Sequence, residues 1–430
     1  MFSSRRTAAT VAAAACLVLL PAAQAGVSAA QEPAQPATPA ADAKGRVIYT
    51  VANTDSRART EINRTGAQIL SVRDGVATIE ATPEQAERLR AAGYQLQEKQ
   101  KVADALDQLN TGVAGTAADF PPDDQGFHNF DEVNAELDKT VQDHGDIAVR
   151  SSVGKSHEGR DIPMLKISDN AAQDENEPEV LFNCNQHARE HLTTEMCLRI
   201  VNRFTDGYAS DPAVKEMVDN REIWVVPVTN PDGSIRDVES GQYQSWRKNT
   251  QDPNGTDTNR NWDYKWGCCG GSSDDPNAED YRGPSAFSTP EASALGKFVD
   301  SRVIGGKQQI RAHIDWHTFS ELVLWPFGHT NDQVTEGMTQ QEYDRFARVG
   351  KEMAQTNGYT PQQSSELYVT DGDTTDWMWG KHKIFSFTFE MFPSSGGVDG
   401  FYPDDEVIEK ETARNDAAVD ILLREAGAGA

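Results

Sequence analysis

Residues Asn185 to His191 read NQHAREH and carry two histidines four apart with a glutamate between them. Two chemistries fit this spacing. As His-x-x-Glu-His on a helix, His187 and His191 would share one face and bind a metal, with Glu190 as the base of an internally cleaving peptidase. As His-x-x-Glu, His187 and Glu190 would both be ligands, and the base would have to come from elsewhere. A catalytic zinc takes three protein ligands and keeps one position for water, so the second pattern needs a third ligand. The stretch IDWHT offers His317 on a strand. His313, four residues earlier and on the same face by alternation, reads as a core histidine or as a support to a ligand. FSFTFEM, Phe385 to Met391, alternates apolar residues and reaches Glu390. A carboxylate there costs several kcal/mol unless it has a partner or faces water. An activated water is such a partner: Glu390 would take its proton and pass it to a leaving amine.

These residues are placed by the elements around them. His187 follows the apolar run EVLFNCN, and helical periodicity begins only near His191. His187 therefore sits at a strand exit, which favours His187 and Glu190 as a pair held by a turn. Strands are expected at Glu179 to Asn185, Glu222 to Thr229, Arg311 to Thr318, Val323 to Phe327 and Ser386 to Met391. Helices are expected at His191 to Tyr208, Pro290 to Arg302, Gln341 to Gly358 and Asp404 to Ala426. Unbroken apolar runs such as IWVVPV belong to strands covered on both faces. The fold class is therefore α/β, a mixed and mostly buried β-sheet flanked by helices on both faces, with ligands bound beyond the strand ends.

Ahead of this region lies a smaller unit. Val47 to Ala52 alternates like a strand, a helix follows over Ser56 to Thr65, and Asp74-Gly75 marks a hairpin. Thr82-Pro83-Glu84-Gln85 opens a second helix that Gly93 closes, and Tyr94 to Gln97 forms a last strand. The order βαββαβ predicts a ferredoxin-like α+β sandwich. A Thr-, Gly- and Ala-rich stretch from about Leu106 to Asp123 reads as a linker open to proteolysis. The domain reading is a signal peptide at 1–25, a low-complexity linker at 26–44, a propeptide domain with its activation linker at 45–118, and a catalytic domain at 119–430. Arg5 and Arg6, an apolar run and Ala23-Gln24-Ala25 support export, so a secreted, extracellular protein is expected.

The 430 residues hold 67 Asp plus Glu against 40 Lys plus Arg. Such a surface repels phosphate backbones and anionic lipid heads, so neither nucleic acid nor membrane is an expected partner. It leaves carboxylates available to Ca2+ as a structural ion. After export, Cys184, Cys197, Cys268 and Cys269 remain, an even count that permits disulfides without fixing their pairing. Adjacent Cys268 and Cys269 form a vicinal bridge or stay reduced.

NQHAREHLTTEM, NPDG, WRKN, GTDTNRNWDYKWG, DWHTFSELVLWPFG and FTFE together closely resemble, in order, the zinc metallocarboxypeptidases of the A/B type. CCGGSSDDP with YRGPSAFSTPE is most similar to the secreted bacterial carboxypeptidase T branch. The resemblance implies a carboxypeptidase fold and one Zn2+ held by His187, Glu190 and His317, with His191 not a ligand and Glu390 as catalytic base. It implies that Asp257 fixes the tautomer of His187 and that Arg247 stabilises the developing oxyanion. Asn259 and Arg260 would clamp the free C-terminal carboxylate, Tyr368 would close over the substrate, and Arg189 would bind it further out. Thr375 and Asp373 would form the wall of the side-chain pocket, implying that both hydrophobic and Lys/Arg C-termini are accepted. Phe319 replaces a tyrosine common in the family, which should weaken only peripheral contacts. The implied partners are peptide C-termini and an activating protease, and a monomer is expected.

Overall fold

The computed structural model describes residues 45–111, 119–251 and 253–428. The expected export signal, the linker at 26–44 and the stretch 112–118 of the activation linker lie outside the described residues. The smaller unit is built from β1 (Val47–Val51), α1 (Ser56–Asn63), β2 (Gln68–Arg73), β3 (Val76–Ala81), α2 (Pro83–Ala91) and β4 (Leu96–Lys101). The sheet order β2-β3-β1-β4 is that of a ferredoxin-like sandwich. Asp74 and Gly75 turn the hairpin with φ of 52° and 73°, the left-handed pair that matches strand twist. Thr82 and Gln85 exchange hydrogen bonds in a capping box with Pro83 in the first turn. The last strand begins later than its sequence suggests. The Tyr94 amide still donates to Leu89 O and closes α2, so pairing with β1 starts at Leu96.

The linker also starts later than expected, because Val102 to Leu109 forms a helix, α3. Val102, Ala105 and Leu106 are buried in the main core alongside Phe401 and Tyr402, not in the smaller unit's own core. Beyond it, Asn110 holds the Tyr243 backbone with both side-chain atoms, at 2.9 and 2.8 Å. Helix-forming apolar spacing here outweighs the small-residue composition that follows.

The larger unit has α4 (Phe130–Asp143), β5 (Ala148–Lys155), β6 (Asp161–Ile167), β7 (Glu179–Asn183), α5 (His191–Asp206) and β8 (Glu222–Val226). A short hairpin, β9 (Val303–Ile304) and β10 (Lys307–Gln308), precedes β11 (Ile310–Thr318), β12 (Leu322–Trp325), β13 (Thr360–Gln363) and β14 (Phe385–Met391). The main sheet runs β13-β12-β14-β11-β7-β8-β6-β5. Its centre, β14-β11-β7-β8, is parallel, and the antiparallel pairings β12 with β14, β6 with β8 and β5 with β6 flank it, making the sheet mixed. Helices cover both faces over two core clusters.

The central strands divide their faces by alternation. On β14, Phe385, Phe387, Phe389 and Met391 enter one core, and on β11 Ala312, Ile314 and Trp316 join them. The opposite face of β11 carries His313, Asp315 and His317, all buried. A buried polar stripe is tolerable only when its groups are bonded. Here the two His313 ring nitrogens contact Ser386 Oγ at 2.7 Å and Asn183 Oδ1 at 2.5 Å. Burial lowers the His313 pKa to about 4, so it is a neutral core histidine that supports its neighbours. The parallel register sets His317 beside Glu390.

Candidate active site

Three strand ends deliver the chemistry. β7 leads into the turn that carries His187 and Glu190, and α5 begins only at His191, with Glu190 at its N-cap position. The helix therefore starts too late to place both histidines of NQHAREH on one helical face. His191 turns away, its Nε2 2.8 Å from Asp237 Oδ2 and its ring edge-on to Phe120. His187 Nδ1 lies 2.8 Å from Glu190 Oε1, and His317 Nδ1 lies 2.9 Å from Glu190 Oε2. The two Nδ1 atoms face each other at 3.1 Å. Donor atoms of His187, Glu190 and His317 all lie within 4.8 Å of one another.

This trio fits a metal. Two ring nitrogens this close either share one proton or turn both lone pairs to a cation between them, and the Glu190 carboxylate that reaches both rings supplies the third donor such a cation would need. A tetrahedral zinc with Zn–N of about 2.0–2.1 Å sets its ligand atoms about 3.3 Å apart, close to the 3.1 Å seen. Each outer nitrogen is backed by a carboxylate: His187 Nε2 by Asp257 Oδ1 at 3.1 Å, and His317 Nε2 by Asp315 Oδ2 at 2.9 Å. Although burial alone would raise it, Glu190 is held below the ordinary carboxylate range by His187 and His317.

Asp257 ties two functions together. Its other oxygen accepts from Arg247 Nε at 3.1 Å and Nη2 at 2.8 Å. Against the opposing effect of burial, Arg247 and His187 hold Asp257 well below its usual range. Arg247 Nη1 is 3.8 Å from Glu190 Oε1, so its guanidinium borders the trio. Asp257 also caps the short 3-10 turn Thr258–Arg260, which presents Asn259 and Arg260. Asn259 Oδ1 accepts from Thr374 N and Thr374 Oγ1, both at 2.9 Å. Arg260 donates through Nη1 to Asn259 O, and its Nη2 is 3.5 Å from the Tyr368 hydroxyl. Its Nε is buried without a partner, a guanidinium with capacity for an anion.

His187, Glu190, His317, Arg247, Asn259, Arg260, Tyr368, Asp373 and Glu390 line one cavity. Loss of hydration, reinforced by Glu190 and opposed by His317, pushes the Glu390 carboxyl up to about 8. Asp373 has both a local job and a place in the cavity wall. It caps the helix Thr374–His382 through Asp376 N and accepts from Thr370 Oγ1, each at 2.8 Å. Burial and the adjacent Asp376 raise it to about 7. Thr375 is set behind the wall, its hydroxyl 2.6 Å from that of Thr388, which does line the cavity. Arg189 is fully buried and stands outside the trio. It stacks 4.0 Å over Phe401 and donates to Ser245 and to Gln68. Phe319 lines the cavity and packs edge-on against Phe401.

Sequence reasoning missed two contributions. One is Asp315, whose signal was its place two residues before His317 on the same strand face. The other is β2 of the smaller unit, where Gln68, Ile69, Leu70 and Ser71 line the same cavity. Around it, Arg46 reaches Glu279 at 2.6 Å, Asn63 reaches Asp280 at 3.1 Å, and α1 bonds the backbone on both sides of Tyr368 through Arg59 and Thr60. Disulfides join Cys184 to Cys197 and Cys268 to Cys269. The Cys269 amide donates to Asp371 in the segment between Tyr368 and Asp373. Two further acidic groupings lie far from this chemistry. Asp174, Glu179 and Glu222 are already paired with Arg302 and Lys166. Asp169, Glu175 and Glu177 are a half-buried acidic grouping, and a structural calcium gains no support from the comparisons.

A family model described as zinc carboxypeptidase matches residues 133–418. The chain is 48% identical over 431 residues to a zinc carboxypeptidase of Saccharothrix mutabilis subsp. capreolus, an alignment covering 98% of this chain and 97% of that one. It is 30% identical over 284 residues to carboxypeptidase A1 of Rattus norvegicus, covering 64% of each chain. Among solved structures, carboxypeptidase A from Helicoverpa armigera shares the fold with a TM-score of 0.73 at 23% identity, over 90% of this chain and 98% of that one.

Proposed function

Because this chain belongs to the zinc carboxypeptidase family and is a metal-dependent exopeptidase, we propose that it is the secreted zymogen of an enzyme that trims peptides and proteins one residue at a time from the C-terminus. The observation that carries the reading is the meeting, in one cavity, of the His187–Glu190–His317 trio, the Glu390 carboxyl and the Arg260 guanidinium.

His187, Glu190 and His317 would hold one zinc ion, which when bound supplies Lewis-acid polarisation of water and of the scissile carbonyl. Glu390 accepts the proton of the attacking water and returns it to the departing amine. Arg247, fixed by Asp257 from behind, offers its remaining donors to the oxygen on which negative charge develops. Arg260 and Asn259 take the terminal carboxylate in a planar fork, and Tyr368 closes over it. This clamp makes the enzyme an exopeptidase, because an internal peptide bond presents no carboxylate. Asp373 in the pocket wall supports acceptance of Lys and Arg beside hydrophobic C-terminal residues. Phe319 lines the cavity beside the path of the upstream residues, and Arg189, held against Gln68 of β2, would meet them only once the smaller unit has left.

The zymogen reading is supported by β2, whose Gln68, Ile69, Leu70 and Ser71 line the same cavity as the metal trio. Residues 45–111 then act as a plug, and an external protease that cuts within the linker would release it. Export by residues 1–25 follows from their charged and apolar pattern, and the chain acts as a monomer outside the cell. The mechanistic assignment is tested by Glu390→Gln in the activated protein. Turnover of a blocked dipeptide should fall by about 10²–10⁴-fold, while bound zinc stays equal to that of the parent. Near-parental turnover would show that another group is the base.

A further inference from the structure

His317 presents Nδ1 to the Glu190 carboxylate and to His187 Nδ1. If that nitrogen is the one that meets a metal, Nε2 carries the ring proton and needs an acceptor. Two side-chain atoms are within reach. Asn259 Nδ2 lies at 3.1 Å, but it is a donor, because Asn259 Oδ1 is occupied by Thr374 N and Oγ1. Asp315 Oδ2 lies at 2.9 Å and can accept.

Asp315 is itself held rigidly. Its side chain is completely buried. Asn183 Nδ2 donates to Oδ1 and Gln186 Nε2 donates to Oδ2, both at 2.7 Å. Asn183 is in turn fixed by His313, and the Gln186 amide also reaches Thr374 Oγ1 at 2.8 Å. The contrast with Asp257 is informative. Asp257 has Arg247 as counter-ion, whereas Asp315 meets two neutral amides and no Lys or Arg among the described residues. A fully buried carboxylate without a cation is costly. The positive charge that would offset it lies across the imidazole ring, at the Nδ1 side.

We propose that Asp315 is a positioning residue for His317: it fixes the tautomer and ring orientation, and its uncompensated charge strengthens the hold of the site on its metal. The centre is then built symmetrically, with a carboxylate behind each histidine, one neutralised by arginine and one not. This inference rests on the metal-centre reading above.

The test measures zinc affinity of the full chain by competition with a chromogenic chelator, together with the visible spectrum of the cobalt-substituted protein. Asp315→Asn should weaken zinc binding about 10–100-fold and shift the cobalt bands. Asp315→Ser, whose small hydroxyl admits a bridging water, should fall between Asn and the parent. A purely structural role would lower the thermal stability of the metal-free protein and leave the cobalt spectrum unchanged. Zinc affinity within twofold of the parent in both variants, with unaltered cobalt bands, overturns the proposal. Should Asp315→Asn not fold, Asp315→Ser decides alone by the same two readouts. His317→Ala is the separate control: if that variant keeps zinc, the metal-centre reading fails, not the role of Asp315.

Discussion

Replacing Asp373 by Asn changes the charge of the side-chain pocket while keeping its local structure. The carboxylate accepts from Asp376 N and Thr370 Oγ1, each at 2.8 Å, and an asparagine oxygen can accept the first of these, since Asn caps helices as well as Asp. What is lost is a titratable charge. Burial beside Asp376 lifts Asp373 to about 7, so it is about 10% ionised at pH 6 and about 90% ionised at pH 8. A substrate ending in Arg benefits only from the ionised form, whereas one ending in Leu prefers the neutral form or is indifferent. The ratio of kcat/KM for Arg over Leu should therefore rise about tenfold between pH 6 and pH 8, worth about 1.4 kcal/mol. The assay uses activated protein and two blocked dipeptides differing only in the last residue. Taking the ratio cancels every titration that both substrates share, including that of Glu390. In Asp373→Asn the ratio should be low and flat with pH. A flat ratio in the parent protein, or an equal rise in the variant, would refute the assignment of Asp373 to the pocket charge.

Arg260→Lys keeps the charge but loses the planar fork, so kcat/KM on free-acid peptides should drop by at least about 10²-fold in a steady-state assay, with zinc content unchanged. Arg46 pairs with both Glu80 and Glu279, and breaking a buried pair costs about 3–5 kcal/mol. Arg46→Ala in the separated N-terminal unit should accordingly weaken its inhibition of the activated enzyme by about 10²-fold or more, read as a change in Ki. The same contact sets a pH dependence. Against burial, Arg46 with Lys248 and Arg189 lowers Glu279 to about 2, below its ordinary value near 4.5. The latch is thus fully present above about pH 4.5 and is lost as pH falls toward 2. Inhibitor binding followed down a pH series should weaken in that window, and by less when Glu279 is replaced by Gln.

The ligand-bearing stretches were legible because each function sits at the end of an apolar run: EVLFNCN before His187, the strand holding His317, and FSFTFEM holding Glu390. The turn at Asp74-Gly75 and the Thr82–Gln85 box were legible because their chemistry is local. β5 escaped notice because it lies at the sheet edge with much of its length exposed, and edge strands lack the apolar run of buried ones. The helix Thr374–His382 escaped because Thr374 through Trp379 are buried in succession, which erases the alternation of wet and dry faces. Asp257 was reached only through family likeness, and Asp315 not at all, since a carboxylate inside a buried strand looks like an anomaly until its amide partners from β7 and the following turn are in place. Arg46 and Glu279 are 233 residues apart, and no local pattern links them.

The central claim is that a metal centre and a guanidinium fork act together on a free C-terminus. It is tested most directly by giving the activated, zinc-loaded protein two copies of one peptide, one with a free C-terminal carboxylate and one amidated, and following both by mass spectrometry. The expected result is stepwise loss of single residues from the free acid and an intact amide. Internal fragments, or equal cleavage of both peptides, would contradict it.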